Sequence, residues 1–207
     1  WFNHLQFNTD GSRLAFMHRW SIGKNRRYTR LFTVKPDGTD LQLHCDWPMF
    51  SHYDWLSPTQ LIAWAGHPTL GPRYFLFTIG SKEIRIVGDG LYDRDGHCRF
   101  SPDRKWMLTD TYRDATGHQT LILHHLASDT RIDIARLKTP QNPISELRCD
   151  LHGRWHESSQ QICVDTMNDD SRQFAIVDVS ALTTHPDWAS DRSTRWQASL
   201  PACFMED

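Results

Sequence analysis

Residues 96–110 read G-H-C-R-F-S-P-D-R-K-W-M-L-T-D. A histidine near the start is followed three residues later by an aromatic side chain, then by a polar Ser-Pro-Asp turn, then by an apolar run with strand-like alternation. The same order recurs at 4–16 (H-L-Q-F-N-T-D-G-S-R-L-A-F), at 52–64 (H-Y-D-W-L-S-P-T-Q-L-I-A-W, with a turn one residue shorter) and at 152–164 (H-G-R-W-H-E-S-S-Q-Q-I-C-V). The opening histidines, His4, His52, His97 and His152, are 48, 45 and 55 residues apart. A strand-turn-strand unit returning about every 50 residues is the mark of a β-propeller blade. The short pattern H-x-x-[F/W] carries little weight by itself. His44 with Trp47 and His185 with Trp188 also match it, but lack the turn and the apolar strand.

Each repeat reads as four strands. In the first they are 5–7, 13–18, 29–34 and 40–44, with a basic, polar loop at 19–28 between the second and third. Lys35-Pro36-Asp37-Gly38 joins the last two, since Pro presets its own φ and Gly accepts a positive one. Third and fourth strands fall at 74–79 and 83–87, and at 120–124 and 130–134; the fourth repeat has a third strand at 173–179. The fold class is therefore all-β. It is a β-propeller of about four four-stranded blades over 1–182, with starts near 4, 52, 97 and 152. The tail, 183–207, is either a closing strand or loosely ordered chain. Closed rings of about six to eight blades are the usual solution. An isolated arc of four would leave apolar sheet uncovered at both ends. The chain is thus expected to be the C-terminal part of a longer ring, or an arc that a partner chain completes. It begins Trp1-Phe2-Asn3 inside a repeat, which reads as a fragment or a processed chain.

Composition narrows the function. Charged residues are 23% and the net charge is −2, so no polybasic surface points to nucleic acid. No apolar run of about 18 residues suggests a membrane helix, and no signal peptide is visible. Aromatic residues are 12%, with nine Trp, which suits short strands packed sheet to sheet. The five cysteines, Cys45, Cys98, Cys149, Cys163 and Cys203, form no C-x-x-C pair and read as free thiols.

In a propeller the first strand of each blade lines the central channel. The four histidines should then face one mouth of it as a partial ring. The loops between second and third strands form the outer wall: Arg19, Arg26 and Arg27; His67 and Arg73; Asp110, Tyr112 and Arg113; Asp165 and Asn168. Asp150 and His152 are two apart on extended chain and share a face. Convergent imidazoles with a carboxylate suit Mn, Fe, Ni or Zn, and arginines around them suit an acidic substrate. A histidine off the metal could act as a base. The opposing reading is structural: propeller blades of the WD-repeat type use one histidine per blade as a hydrogen-bonding strut. Asp37 and Asp103 read as turn residues, and His124-His125 as surface. Cys98 alternates away from His97, against a Cys-His nucleophile.

H-L-Q-F-N-x-D-G-S-R-L-A-F and L-F-T-V-K-P-D-G-T resemble the propeller repeats of TolB-like proteins. S-H-Y-D-W, G-H-C-R-F-S-P-D, L-T-D-T-Y and R-C-D-L-H-x-R-W resemble the oligogalacturonate lyase family and its relatives. The likeness covers most of 1–180. It implies a seven-bladed ring, a cytoplasmic compartment and β-elimination on short pectin fragments with a divalent metal, most often Mn²⁺. By blade order it implies His52 as the base. It implies His97 and His152 as metal ligands, with Asp150 where the family has a further histidine and Leu147 where it has a glutamine. Arg27 is the nearest match to the arginine that holds the substrate carboxylate, and Arg26, Arg73 and Arg113 are candidates for further contacts with an acidic oligosaccharide. A non-catalytic propeller that binds a protein or carbohydrate is the rival reading; a hydrolase propeller without its catalytic partner is a third.

Overall fold

Residues 61–65 (L-I-A-W-A) are apolar without a break, and the structure shows why. In the computed structural model Leu61, Ala63 and Ala65 pack to one side of their sheet, while Ile62 and Trp64 pack to the other. A strand buried on both faces needs apolar residues at every position, in contrast to the alternation of a half-wet strand. The structure describes residues 1–23, 26–139, 148–167 and 171–185, with the backbone alone at residue 26.

The first sheet is β1 (Phe2–Phe7), β2 (Leu14–Ile22), β3 (Arg26–Val34) and β4 (Gln42–Cys45). The second is β5 (Met49–Trp55), β6 (Gln60–His67), β7 (Gly71–Thr78) and β8 (Ile84–Val87). The third is β9 (Arg99–Phe100), β10 (Trp106–Asp110), β11 (His118–His125) and β12 (Thr130–Lys138). The fourth contains β13 (Arg154–Trp155), β14 (Gln161–Thr166) and β15 (Gln173–Asp178) among the described residues. Each sheet keeps chain order and is antiparallel throughout. Three apolar clusters fill the three gaps between successive blades, so the β-propeller architecture is present. The tryptophans three residues after His52 and His152 help clamp the blades. Trp55 Nε1 donates to the Gln6 carbonyl oxygen, and Trp155 Nε1 to that of Arg99, both at 3.3 Å. The buried Asp54 carboxylate joins three blades, accepting from Gln6 Nε2 at 2.6 Å and from the Phe100 backbone N–H at 2.7 Å.

Two expectations need correction. The basic loop at 19–28 is mostly strand. β2 and β3 run on as a long hairpin in which Trp20 pairs with Tyr28, their rings stacked at 5.2 Å, with the Arg30 guanidinium 4.6 Å from the Trp20 ring. Such cross-strand aromatic pairs stabilise a ribbon that its charges would otherwise leave wet. His124 and His125 are both buried; His124 Nε2 lies 3.0 Å from Asp129. The chain after β15 turns into a short helix, α1 (Ser180–Thr183), whose Leu182 packs on the third cluster; residues 186–207 lie outside the described residues. As expected of an arc, apolar side chains stay uncovered on the outer faces of the end blades. Phe2 is 64% exposed, Phe174 75% and Ile176 55%.

Candidate functional site

First strands of neighbouring blades meet, β5 against β9 and β9 against β13, which brings the blade-start residues together. Pairing is interrupted where each histidine stands. His4 and His52 lie in register shifts of β1 and β5, between Asn3 and Gln6 and between Phe50 and Tyr53. His97 and His152 stand two residues ahead of the short strands β9 and β13. A bulge re-aims a side chain that regular pleating would send into the sheet. His4 and His152 also adopt left-handed backbone, with φ of 53° and 41°, which residues bearing a Cβ rarely do. Gly96 has a separate cause: a Cβ there would stand 1.9 Å from the Asp110 carbonyl oxygen. The outcome is a row of imidazoles, with ring centroids 6.0 Å apart from His4 to His52, 4.2 Å from His52 to His97 and 4.0 Å from His97 to His152. All four line a cavity of about 360 Å³ together with Arg99, Arg154 and Asp165.

Donor atoms of His97, Asp150 and His152 lie within 4.8 Å of one another. His97 Nδ1 is held by the Asp110 carboxylate at 2.9 and 3.0 Å, which leaves Nε2 for an ion. The same buried carboxylate accepts from the backbone N–H of His97 at 2.8 Å and of His152 at 3.2 Å. Asp150 receives Gln119 Nε2 at 3.2 Å and Arg148 Nε at 3.0 Å on one oxygen, and Arg148 Nη2 at 2.7 Å on the other. Each carboxylate oxygen has two lone pairs, so Asp150 retains acceptor capacity. Two imidazoles and a carboxylate fit a divalent transition ion such as Mn²⁺, Fe²⁺ or Zn²⁺. His52 has a different partner: its Nδ1 is 3.2 Å from Asp95.

The row is electrostatically uneven. Burial lowers the pKa of His4, and the nearby Arg19 lowers it further. Burial also lowers that of His152, with His97 adding to it. At His97 burial works the same way, but the hydrogen bond to Asp110 and the charges of Asp110, Asp150 and Asp95 outweigh it, so its pKa is raised. Tyr112, whose ring centroid is 5.6 Å from that of His97, is pushed up to about 12 by burial.

The structure thus brings together His52, His97, Asp150 and His152. Arg27 is exposed near the start of β3, the side chain of Arg26 lies outside the described residues, and so do Leu147 and Asn168. Arg73 is drawn to Asp89 at 3.4 Å, and Arg113 donates to the Thr139 carbonyl at 2.9 Å; neither lines the cavity. Arg19 stands closer in, feeling Arg27 and Asp95 and depressing His4. Asp95, Arg99 and Arg154 carry a signal that sequence reasoning passed over: each stands two residues from a row histidine, the spacing that picked out Asp150.

No family model matches the sequence, and no curated protein is similar to it. Solved structures are similar. An oligogalacturonate lyase in complex with manganese superposes with a TM-score of 0.67 at 16% identity, over 86% of this chain and 48% of that one. TolB from Acinetobacter baumannii gives 0.61 at 12% identity, over 86% and 41%. A puromycin-hydrolysing peptidase from Mycobacterium tuberculosis gives 0.63 at 9% identity, over 87% and 27%. At such identities the likeness shows a shared propeller fold, and this chain spans less than half the length of each of the three.

Proposed function

We propose that the mouth lined by the four histidines is the site of a metal-dependent lyase acting on uronate-containing oligosaccharides of the oligogalacturonate type. The observation that carries this reading is the meeting of three metal donors, His97, Asp150 and His152, beside a separate histidine–carboxylate pair, His52 and Asp95. β-Elimination next to a carboxylate needs those two parts. His52 takes the proton from the carbon that bears the carboxylate. The C–O bond to the leaving sugar then breaks, its electron pair departs with the oxygen, and a double bond conjugated to the carboxylate remains. An arginine of the first blade, Arg27 or the inner Arg19, pairs with the carboxylate and stabilises the charge that builds on it. His97, Asp150 and His152 would hold a divalent ion, Mn²⁺ by preference, which when bound supplies a second positive charge at that carboxylate.

Elemental analysis of purified protein, compared with His97→Ala, tests the first half. Stoichiometric Mn that the variant loses is expected. Incubation with uronate oligosaccharides tests the second half through ultraviolet absorbance of the unsaturated product. Protein that takes up no divalent ion under any loading overturns the metal-dependent mechanism. The second reading, a non-catalytic propeller that binds a protein or carbohydrate at the same mouth, draws on the comparable superposition with TolB; metal-free protein that still retains an acidic oligosaccharide would favour it.

A further inference from the structure

Asp95 is not in the donor group and does not line the cavity, yet both its oxygens are engaged around His52. Oδ1 lies 3.2 Å from His52 Nδ1, and Oδ2 accepts from Ser51 Oγ at 2.6 Å. The Ser51 hydroxyl is also 3.2 Å from Nδ1. A hydroxyl has one hydrogen, and the shorter contact places it on Asp95; an ionised carboxylate has none to give. Nδ1 therefore faces two acceptors, and the arrangement holds together when the proton sits on Nδ1. In the neutral imidazole Nε2 is then left with the lone pair. The side chains of His52 and Asp95 are 19% and 20% exposed, so water competes weakly for the bond.

We infer that Asp95 is the positioning residue of His52: it fixes the Nδ1–H tautomer and the ring's orientation, and Ser51 fixes the carboxylate, so that Nε2 is the atom that takes the proton. The consequence for catalysis rests on the proposed role of His52 as base. The sequence supports the assignment from another direction. Asp95-Gly96-His97 and Asp150-Leu151-His152 are the same D-x-H, one blade apart. Each aspartate leans back on the histidine of the preceding blade, Asp150 joining His97 in the donor group and Asp95 bonding to His52. One spacing serves two tasks: in one blade the carboxylate meets a metal site, in the other it sets a tautomer.

The test is a long-range ¹H–¹⁵N correlation spectrum of the histidine rings of the whole chain, with His52 assigned through His52→Gln. The wild type is expected to show the Nδ1–H form. In Asp95→Asn the new carboxamide can donate to Nδ1, and His52 should move to the Nε2–H form. With a uronate oligosaccharide turned over by the wild type, kcat of that variant should fall about a hundredfold or more with KM and Mn content nearly unchanged. Ser51→Ala, which frees the carboxylate without removing it, should keep the tautomer and lose several-fold in kcat. A His52 that keeps Nδ1–H in Asp95→Asn overturns the inference, and so does a kcat within twofold of wild type. A wild type without turnover sinks the lyase reading instead, and the tautomer shift then decides on Asp95 by itself.

Discussion

The first-blade and third-blade histidines of the row, His4 and His97, share one sequence grammar and differ in what surrounds it. On β10 the residue three beyond Met107, the partner of Phe100, is Asp110. On β2 the residue three beyond Leu14, the partner of Phe7, is Met17, buried in the cluster between the first two blades. At the third blade the histidine is therefore gripped at Nδ1 and at its backbone N–H by one carboxylate, and a second carboxylate, Asp150, stands beside it. At the first blade His4 has Arg19 for a neighbour, and the Tyr53 hydroxyl holds its carbonyl oxygen. Repetition places an imidazole at every blade start; in the third blade Asp110 braces it, whereas the corresponding residue of the first blade, Met17, is packed in the core.

The strongest way to break this comparison is Asp110→Ala. The variant removes the brace on His97 and takes the acceptor from two partly buried backbone N–H groups, each costing at most roughly 1–3 kcal/mol. A melting temperature lower by many degrees is expected, together with a loss of Mn affinity of at least the roughly 10- to 100-fold typical for a partner of a metal-ligating histidine. Normal Mn affinity in that variant would show that Asp110 serves the fold alone. A smaller effect is expected of Asp150→Asn, which withdraws a charged donor but keeps an amide that Arg148 and Gln119 can still meet. Mn affinity measured by calorimetry should drop about tenfold with little change in melting temperature. His4→Ala in parallel should leave Mn affinity within twofold. An equal loss in both variants would erase the distinction between the first blade and the donor group around His97.

The fold was legible because a propeller repeats. The strands of the middle blades announce themselves through apolar residues at consecutive positions, with Ser-Pro turns at 57–58 and 101–102 between the first and second strands. Errors came where a second pattern overlay the first. The charges at 19–28 read as loop, although Trp20 and Tyr28 pair across a hairpin there. His124 read as surface because a histidine at a strand end usually is, and its burial depends on Tyr92 and Asp129 from other segments. The site was half legible. Four imidazoles and Asp150 follow from spacing, whereas the pairing of Asp95 with His52 joins residues 43 apart, and no local pattern states which carboxylate will face which ring. The arginines were the weakest part. A guanidinium sits at the end of a long side chain, so strand position says little about its head group, as Arg73 and Arg113 show by turning to Asp89 and Thr139.

The finest distinction between His97 and His4 is protonic. His97 is raised by its hydrogen bond and the surrounding carboxylates in spite of burial, while His4 is lowered by burial and Arg19. In metal-free protein the Cε1–H resonance of His97 should therefore titrate above the ordinary imidazole range near 6.5, and that of His4 below it. The signs carry over to stability by linkage. A raised value in the folded state means that the contribution of His97 is fully present below the unfolded pKa and is lost as pH rises through the folded one. A lowered value means that the contribution of His4 is present above the unfolded pKa and is lost as pH falls through the folded one. His97→Gln should accordingly destabilise the metal-free chain more at acidic than at alkaline pH. His4→Gln should make the chain less sensitive to acid. If both resonances moved together, the carboxylates at the third and fourth blades would be acting on the row as a whole, and the division between His4 and His97 would lie in the placement of the donor atoms alone.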